Sequence, residues 1–334
     1  EARGDFAAGR PLFEALLRAH HGIAMNADAL HDFGVERVAS MQERLAEAAR
    51  TLDPGRTWQE LVAEWKNDYP KREEFLSGYV KEVKKAREFV RRKKLVSIPR
   101  GEHLHVVETP SFQRSICPLA AYLAPGPFEK KQDGFFWVTP PDDGAPPDAQ
   151  RRHLQDHPRP GIPGTTVHEA YPGHHLQLSI ANRIDSKVRR AVAAPVLIEG
   201  WAFYCEQLMA EQDYYDDDRT RVLQLKDELW RSCRVVIDVG LHTRGMTVDA
   251  AVAMLHDVAR LETSSARGEV LRYTRTPTQP MSYAAGKHAI LDLREAYRRR
   301  RGAAFRLQEF HDRFLSYGSI PVTMIRERML GGSA

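Results

Sequence analysis

A chain of 334 residues, 42% hydrophobic and 28% charged, is long enough to bury a large core and has the composition of a folded globular protein rather than a disordered or fibrous one. Its 49 basic residues against 45 acidic ones leave a net charge of +4, too balanced for a nucleic-acid binder, whose affinity rests on concentrated positive charge. No apolar run reaches the length of a membrane-spanning helix, and Cys117, Cys205 and Cys233, with no C-x-x-C pair among them, exclude a disulfide framework or a zinc ribbon.

The opening residues, EARGDFAAGR, lack the basic-then-apolar layout of a secretory signal. With the separated cysteines, this gives the expectation of a cytoplasmic protein unless an export segment precedes Glu1. Residues 1–96 read as helical. Val38, Met41, Leu45, Ala48 and Leu52 recur at steps of three and four, the apolar stripe of an amphipathic helix. Thr57 is placed to cap a following helix that carries Trp58, Leu61, Val62 and Trp65. Phe75, Tyr79, Val83, Ala86 and Val90 form a third stripe, whose role is packing.

Residues 97–165 hold a large share of the 20 prolines, a density that stops helices. Within them GFFWVTP reads as a strand. Two roles are open for it: pairing with an extended peptide beside the site, or a buried hairpin position. Helices resume at about residue 166 and run to the end. Val222, Leu225, Leu229, Cys233, Val236 and Val239 mark one; Ala251, Met254, Leu255 and Val258 mark another; residues 282–299 and 305–315 are two more. The basic run Arg298–Arg301 fits the solvated C-terminal end of a helix, where cations are favoured. The expected fold is mainly α with a small β element near residues 100–140, in one catalytic domain over 1–334 made of a helical part (1–96), a Pro-rich part (97–165) and a helical metal-site part (166–334).

The chemistry concentrates in TTVHEAYPGHHLQ, residues 165–177. A helix bearing H-E-x-x-H offers a metal two histidines on one face and a glutamate as base. Here the position four residues after His168 is Pro172. Pro172 has no N–H for the carbonyl of His168, and Gly173 tolerates unusual backbone angles. A bulge that absorbs two residues would bring His174 to the vacant place. His168 and His174 are therefore favoured as ligands, with His175 behind them or lining the pocket; the opposite assignment of His174 and His175 stays open. Glu199, in the apolar stretch LIEGWAFYCEQL, needs a partner or a metal to sit there as a carboxylate and is the third candidate ligand. Glu206 either fixes the tautomer of a ligand histidine or serves a structural ion pair.

These segments, in order with GLHTRGMT, EVLRYTRTPTQPMSYAAGKHAI and FHDRFLSYGSIP, resemble the bacterial family known as domain of unknown function 885, which is similar to the gluzincin metallopeptidases. E-G-W-A-x-Y-x-E also resembles the E-G-F-A-x-Y-x-E of zinc aminopeptidases. The likeness is strongest over residues 165–325. It implies a large helical gluzincin-like metallopeptidase fold, with zinc held by His168, His174 and Glu199 and with Glu169 as general base. Two features depart from the family: members are commonly longer at the N-terminus, many with export signals, and TPTQP stands where a Pro-Gly-Gln turn is more usual.

An oxyanion donor is needed to complete such a site. Tyr283 is the first choice, with His242 as a helper. Arg272, Tyr273 and His175 are expected on the substrate side, Arg272 binding a carboxylate as two parallel hydrogen bonds. Each of these also has a structural reading, and His288 and His311 are assigned to structure alone. The expected activity is zinc-dependent hydrolysis of peptide or amide bonds, with zinc-bound water activated by Glu169, on a carboxypeptidase-like substrate or a small amino-acid conjugate, and with no nucleic-acid partner. The alternatives are a non-proteolytic metal enzyme (a lyase or tailoring step on a small metabolite) and a non-catalytic metal-binding protein. Glu169 argues against the last, because a purely structural site needs no base. Iron, nickel or manganese suits similar ligands.

Overall fold

Thr57 caps the helix its sequence announces. Its hydroxyl accepts from the N–H of Glu60, and the Glu60 carboxylate takes the Thr57 N–H at 2.8 Å, a reciprocal arrangement that stabilises the helix start by about 1 kcal/mol. The structure, a computed structural model, describes residues 5–331. Before the sheet come α1 (Arg10–His21), α2 (Ala27–Leu52), α3 (Trp58–Trp65) and α4 (Phe75–Arg92). The α4 stripe is buried along its whole length, as its spacing predicts. The α2 stripe is buried at Met41 and Leu45 but exposed by Leu52.

The Pro-rich segment holds β1 (His103–Glu108), β2 (Ala120–Leu123) and β3 (Asp133–Val138), in the order β1–β3–β2, with β1 parallel and β2 antiparallel to β3. GFFWVTP thus supplies the central strand. Both its edges are paired, so it is not open to a peptide, and Phe136 and Val138 sit in the core. The outer strands β1 and β2 each keep one edge unpaired by another strand, and β2 is the shorter of the two. Prolines also fail to exclude helices here: α5 (Pro147–Gln155) and α6 (Ile162–Glu169) both form, each with a proline in its first turn, where the missing N–H would have had no helical partner anyway.

Nine further helices among the described residues build the remainder: α7 (His174–Ala181), α8 (Lys187–Ala191), α9 (Pro195–Glu211), α10 (Asp218–Thr243), α11 (Val248–Asp257), α12 (Thr263–Tyr273), α13 (Ser282–Arg301), α14 (Leu307–Leu315) and α15 (Val322–Leu330). The architecture is mainly helical with one small sheet. The largest core lies among α4, the inner face of the sheet, α6, α7, α9 and the last three helices. A second packs α2 and α3 on α10–α12, and a third joins α1 to α10 and α13. Arg298–Arg301 end α13 exposed, as expected. Among the described residues no helix is long and apolar enough to cross a membrane.

Helices α9 and α13 touch backbone to backbone. A Cβ on Gly286 would stand 1.9 Å from the carbonyl oxygen of Val196. Gly286→Ala is therefore expected to push the helices apart and lower stability by about 1–3 kcal/mol, as overpacking does. An unchanged thermal midpoint would show that the crossing adapts without cost. This approach matters because α9 carries Glu199 and α13 begins beside Tyr283.

Candidate metal centre

The HEAYPGHH segment breaks the helix completely. Instead of a bulge within one helix, α6 stops at Glu169, Ala170 leaves the helical region at φ −113°, ψ −91°, and α7 starts afresh at His174. The link folds back on α6: the N–H of Gly173 donates to the carbonyl of Val167 at 3.0 Å. Only glycine fits there, since a Cβ would lie 1.9 Å from the carbonyl oxygen of His168. The indole N–H of Trp201 donates to the carbonyl of Pro172 at 2.8 Å and ties the link to α9. The outcome is that the last turn of α6 and the first turn of α7 bring the rings of His168 and His174 to 4.7 Å between centroids, nearly perpendicular at 89°.

Glu199 on α9 completes the group. Its Oε2 lies 3.3 Å from Nε2 of His174 and 3.8 Å from Nε2 of His168, and the three candidate ligand atoms all fall within 4.8 Å of one another. Ligands at zinc distances and tetrahedral angles stand about 3.4 Å apart, so small movements suffice to close on a cation. The donor set fits the metal on a second count. Glu199 Oε2 is buried without a hydrogen-bond partner, an arrangement that is costly for a carboxylate oxygen unless a cation takes it.

Behind His168 stands Glu206, with Oε1 2.8 Å from Nδ1. The Nδ1–H donates to this carboxylate, and Nε2 faces Glu199. Burial opposes a charge on His168, but the carboxylates of Glu199, Glu206 and Glu169 prevail and hold its pKa up at about 10. Glu199 is held far below the usual carboxylate range, against its burial, by His174 and His168. Three carboxylates thus surround two imidazoles, a negative excess that a divalent cation balances. Glu206→Gln is expected to weaken zinc affinity about 10–100-fold in competition with a chromophoric chelator. Unaltered affinity would reduce the contact to packing.

Glu169, next to His168 in the chain, is not one of the three grouped residues. Its Oε2 accepts the backbone N–H of Tyr122 at 2.8 Å, so the free edge of β2 fixes the carboxylate. A backbone donor on a four-residue strand carries no signature in the sequence, and this partner was not legible there.

Tyr283 opens α13 with its ring stacked 6.2 Å from that of His168, at an interplanar angle of 14°. Burial and the charge of Glu199 push its phenol up to about 12, so the hydroxyl keeps its proton and remains a donor. The turn before it is pinned by buried Asp238, which accepts from the N–H groups of Thr278 and Met281, each at 3.1 Å.

Three other expected site residues are engaged elsewhere. His242 is buried; its Nδ1 accepts from the N–H of Ala8 at 3.3 Å and its Nε2 lies 3.1 Å from the carbonyl of Tyr273. With both nitrogens committed, it has no donor left for an oxyanion. Tyr273 is buried too: its hydroxyl donates to Glu269 at 2.6 Å and accepts from Nε of Arg234 at 2.8 Å, so it braces the Arg234–Glu269 ion pair. His175 is fully buried, with Nε2 2.7 Å from Glu102 and Nδ1 3.2 Å from the hydroxyl of Tyr122. It braces β2 through Tyr122, and its Glu102 partner also takes Arg87 and the hydroxyl of Tyr171. The geometry groups His174, not His175, with His168 and Glu199. Arg272 is partly exposed and paired with Glu269 at 3.0 Å and Gln279 at 2.9 Å. His311 is a core residue, bonded to the hydroxyl of Tyr204 and the carbonyl of Leu95, while His288 is half exposed on α13.

The family described as "Bacterial protein of unknown function (DUF885)" matches residues 1–329. Among curated proteins none matches. Two solved structures, each described as that of a "putative lipoprotein", share the fold. One, of unknown function, is from Shewanella oneidensis, with 30% identity over 99% of this chain and a TM-score of 0.88. The other is from Colwellia psychrerythraea, with 25% identity over 97% of this chain and a TM-score of 0.86. The chain spans 61% and 56% of their respective lengths.

Proposed function

This chain belongs to the DUF885 family, and from that premise we propose that it is a zinc-dependent hydrolase of peptide or amide bonds. The observation that carries the reading is the convergence of His168, His174 and Glu199 ligand atoms within 4.8 Å, beside a glutamate that none of them holds. These three residues would hold the metal and leave one position open, the pattern of a catalytic rather than a structural site. Zinc, when bound there, supplies a Lewis acid that acidifies water and polarises a carbonyl.

The residues of the chain do the rest. With Oε2 of Glu169 held by the Tyr122 N–H, Oε1 is left to take a proton from the attacking water and to return it to the leaving amine. The Tyr283 hydroxyl donates to the oxygen that becomes negative. Ladder alternation turns the N–H and C=O of Ala120 away from β3, together with the C=O of Tyr122. These groups are available to pair with an extended substrate backbone. The test is a mixed library of peptides and acyl-amino acids incubated with the zinc-loaded protein. Cleavage of amide bonds is expected. Turnover of a small conjugate without cleavage of any amide would move the chemistry to another class.

The compartment is part of the same proposal. Three free cysteines favour a reducing interior, whereas the description of both structural relatives as lipoproteins favours the cell envelope. The second argument has more weight, because it rests on similarity over nearly the whole chain. Fractionation of the native host is expected to recover the protein with the envelope; recovery in the cytoplasm alone would reverse this.

A further inference from the structure

Beyond Tyr283, two guanidinium groups share one carboxylate oxygen. Arg234 on α10 and Arg272 on α12 each place Nη2 on Oε2 of Glu269, at 2.9 and 3.0 Å, and the Tyr273 hydroxyl donates to the same atom at 2.6 Å. Glu269 is the one carboxylate within ion-pair distance of either arginine among the described residues. The cluster therefore carries an uncompensated positive charge. Arg234 is only 4% exposed, yet its Nη1 has no hydrogen-bond partner. One turn earlier on α10, Nε1 of Trp230 is also buried without an acceptor, and the Trp230 ring lies 4.4 Å from Cζ of Arg234. A buried donor left unpaired costs about 1–3 kcal/mol, and more when it is charged.

What this corner lacks is a second anion with acceptor oxygens, and a carboxylate supplies both. Its position is informative. The Tyr283 ring lies 4.6 Å from Cζ of Arg234 and 6.2 Å from the His168 ring. The guanidinium carbon and the His168 ring, both neighbours of this one aromatic ring, are therefore within 10.8 Å of each other. One or two residues of extended chain, at about 3.3–3.6 Å each, cover such a gap.

We propose that Arg234 and Arg272 form a subsite for the free C-terminal carboxylate of the substrate, so that the enzyme releases the last one or two residues of a peptide or the amino acid of a conjugate. The partly exposed Arg272 meets the carboxylate as it enters, and buried Arg234 holds it. This assignment rests on the hydrolase reading above, but it is tested by binding rather than by turnover.

The experiment is calorimetric titration of the zinc-loaded protein with N-acetyl-phenylalanine and with its amide, in wild type, Arg272→Gln and Arg234→Gln, with zinc content and thermal midpoint measured on each variant. Wild type is expected to bind the acid about 10–100-fold more tightly than the amide, the range of a charged hydrogen-bonded contact. Arg272→Gln, at a partly exposed position, is expected to fold, keep its zinc and lose that preference. Arg234→Gln should repeat the loss where it folds. Equal affinity for acid and amide in wild type, no binding of either, or a preference that survives in Arg272→Gln because the metal holds the acid, would each overturn the subsite. Acid preference without hydrolysis of any amide would keep the subsite and remove the hydrolase.

Discussion

Glu169→Gln is expected to lower kcat by about 10²–10⁴-fold, the usual contribution of a general acid–base group, while zinc content stays that of wild type. The substitution keeps the shape and an oxygen that still accepts the Tyr122 N–H, so β2 and the link after α6 are not disturbed. What it removes is the capacity to take a proton. Glu169 is not among the three grouped ligand residues, so the metal is not expected to leave with it. The check is steady-state turnover of whichever amide substrate the library identifies, beside metal analysis of the same preparation. Retention of wild-type kcat would take Glu169 out of the chemistry. Loss of zinc together with activity would make it a ligand instead.

The second large effect separates two neighbouring histidines. His174→Ala removes one of three ligand side chains and is expected to lower zinc affinity by more than the 10–100-fold set for a group that only orients a ligand. His175→Ala should keep the metal. Its cost is in stability, because Glu102 and the Tyr122 hydroxyl lose a buried partner; about 1–3 kcal/mol is the size expected. Metal analysis and thermal denaturation of the two variants side by side read both effects. Zinc lost from His175→Ala and retained in His174→Ala would reverse the assignment.

The helical character, the α3 cap and the cluster of His168, Glu169, His174 and Glu199 were legible because each is carried by residue type and local spacing. The nature of the interruption at Pro172 was not. A bulge and a full break read alike, and the choice is made by Gly173 folding onto the α6 backbone and by Trp201 holding Pro172. GFFWVTP was recognised as a strand, but its central place depends on β1, about thirty residues earlier, and strand order is a long-range property. His242, Tyr273 and His175 stand within or beside the motifs, and that proximity alone points them at the site. A polar side chain that braces and one that reacts look the same in sequence and differ in burial and partners, which come from other elements of the fold. Arg234 carries no signal in the sequence, because an arginine beside the apolar stripe of α10 reads as an interruption of packing. Its neighbours Glu269 and Tyr273 come from another helix.

The central claim is that His168, His174 and Glu199 hold one zinc ion and leave Glu169 free. Anomalous scattering at the zinc edge from crystals of the zinc-loaded protein tests it most directly. A single peak about 2.0–2.2 Å from a nitrogen of each histidine and from a carboxylate oxygen of Glu199, with Glu169 outside that shell, is the predicted result. A peak ligated by His175, a peak that includes Glu169, or no peak among these residues at full zinc loading would contradict it.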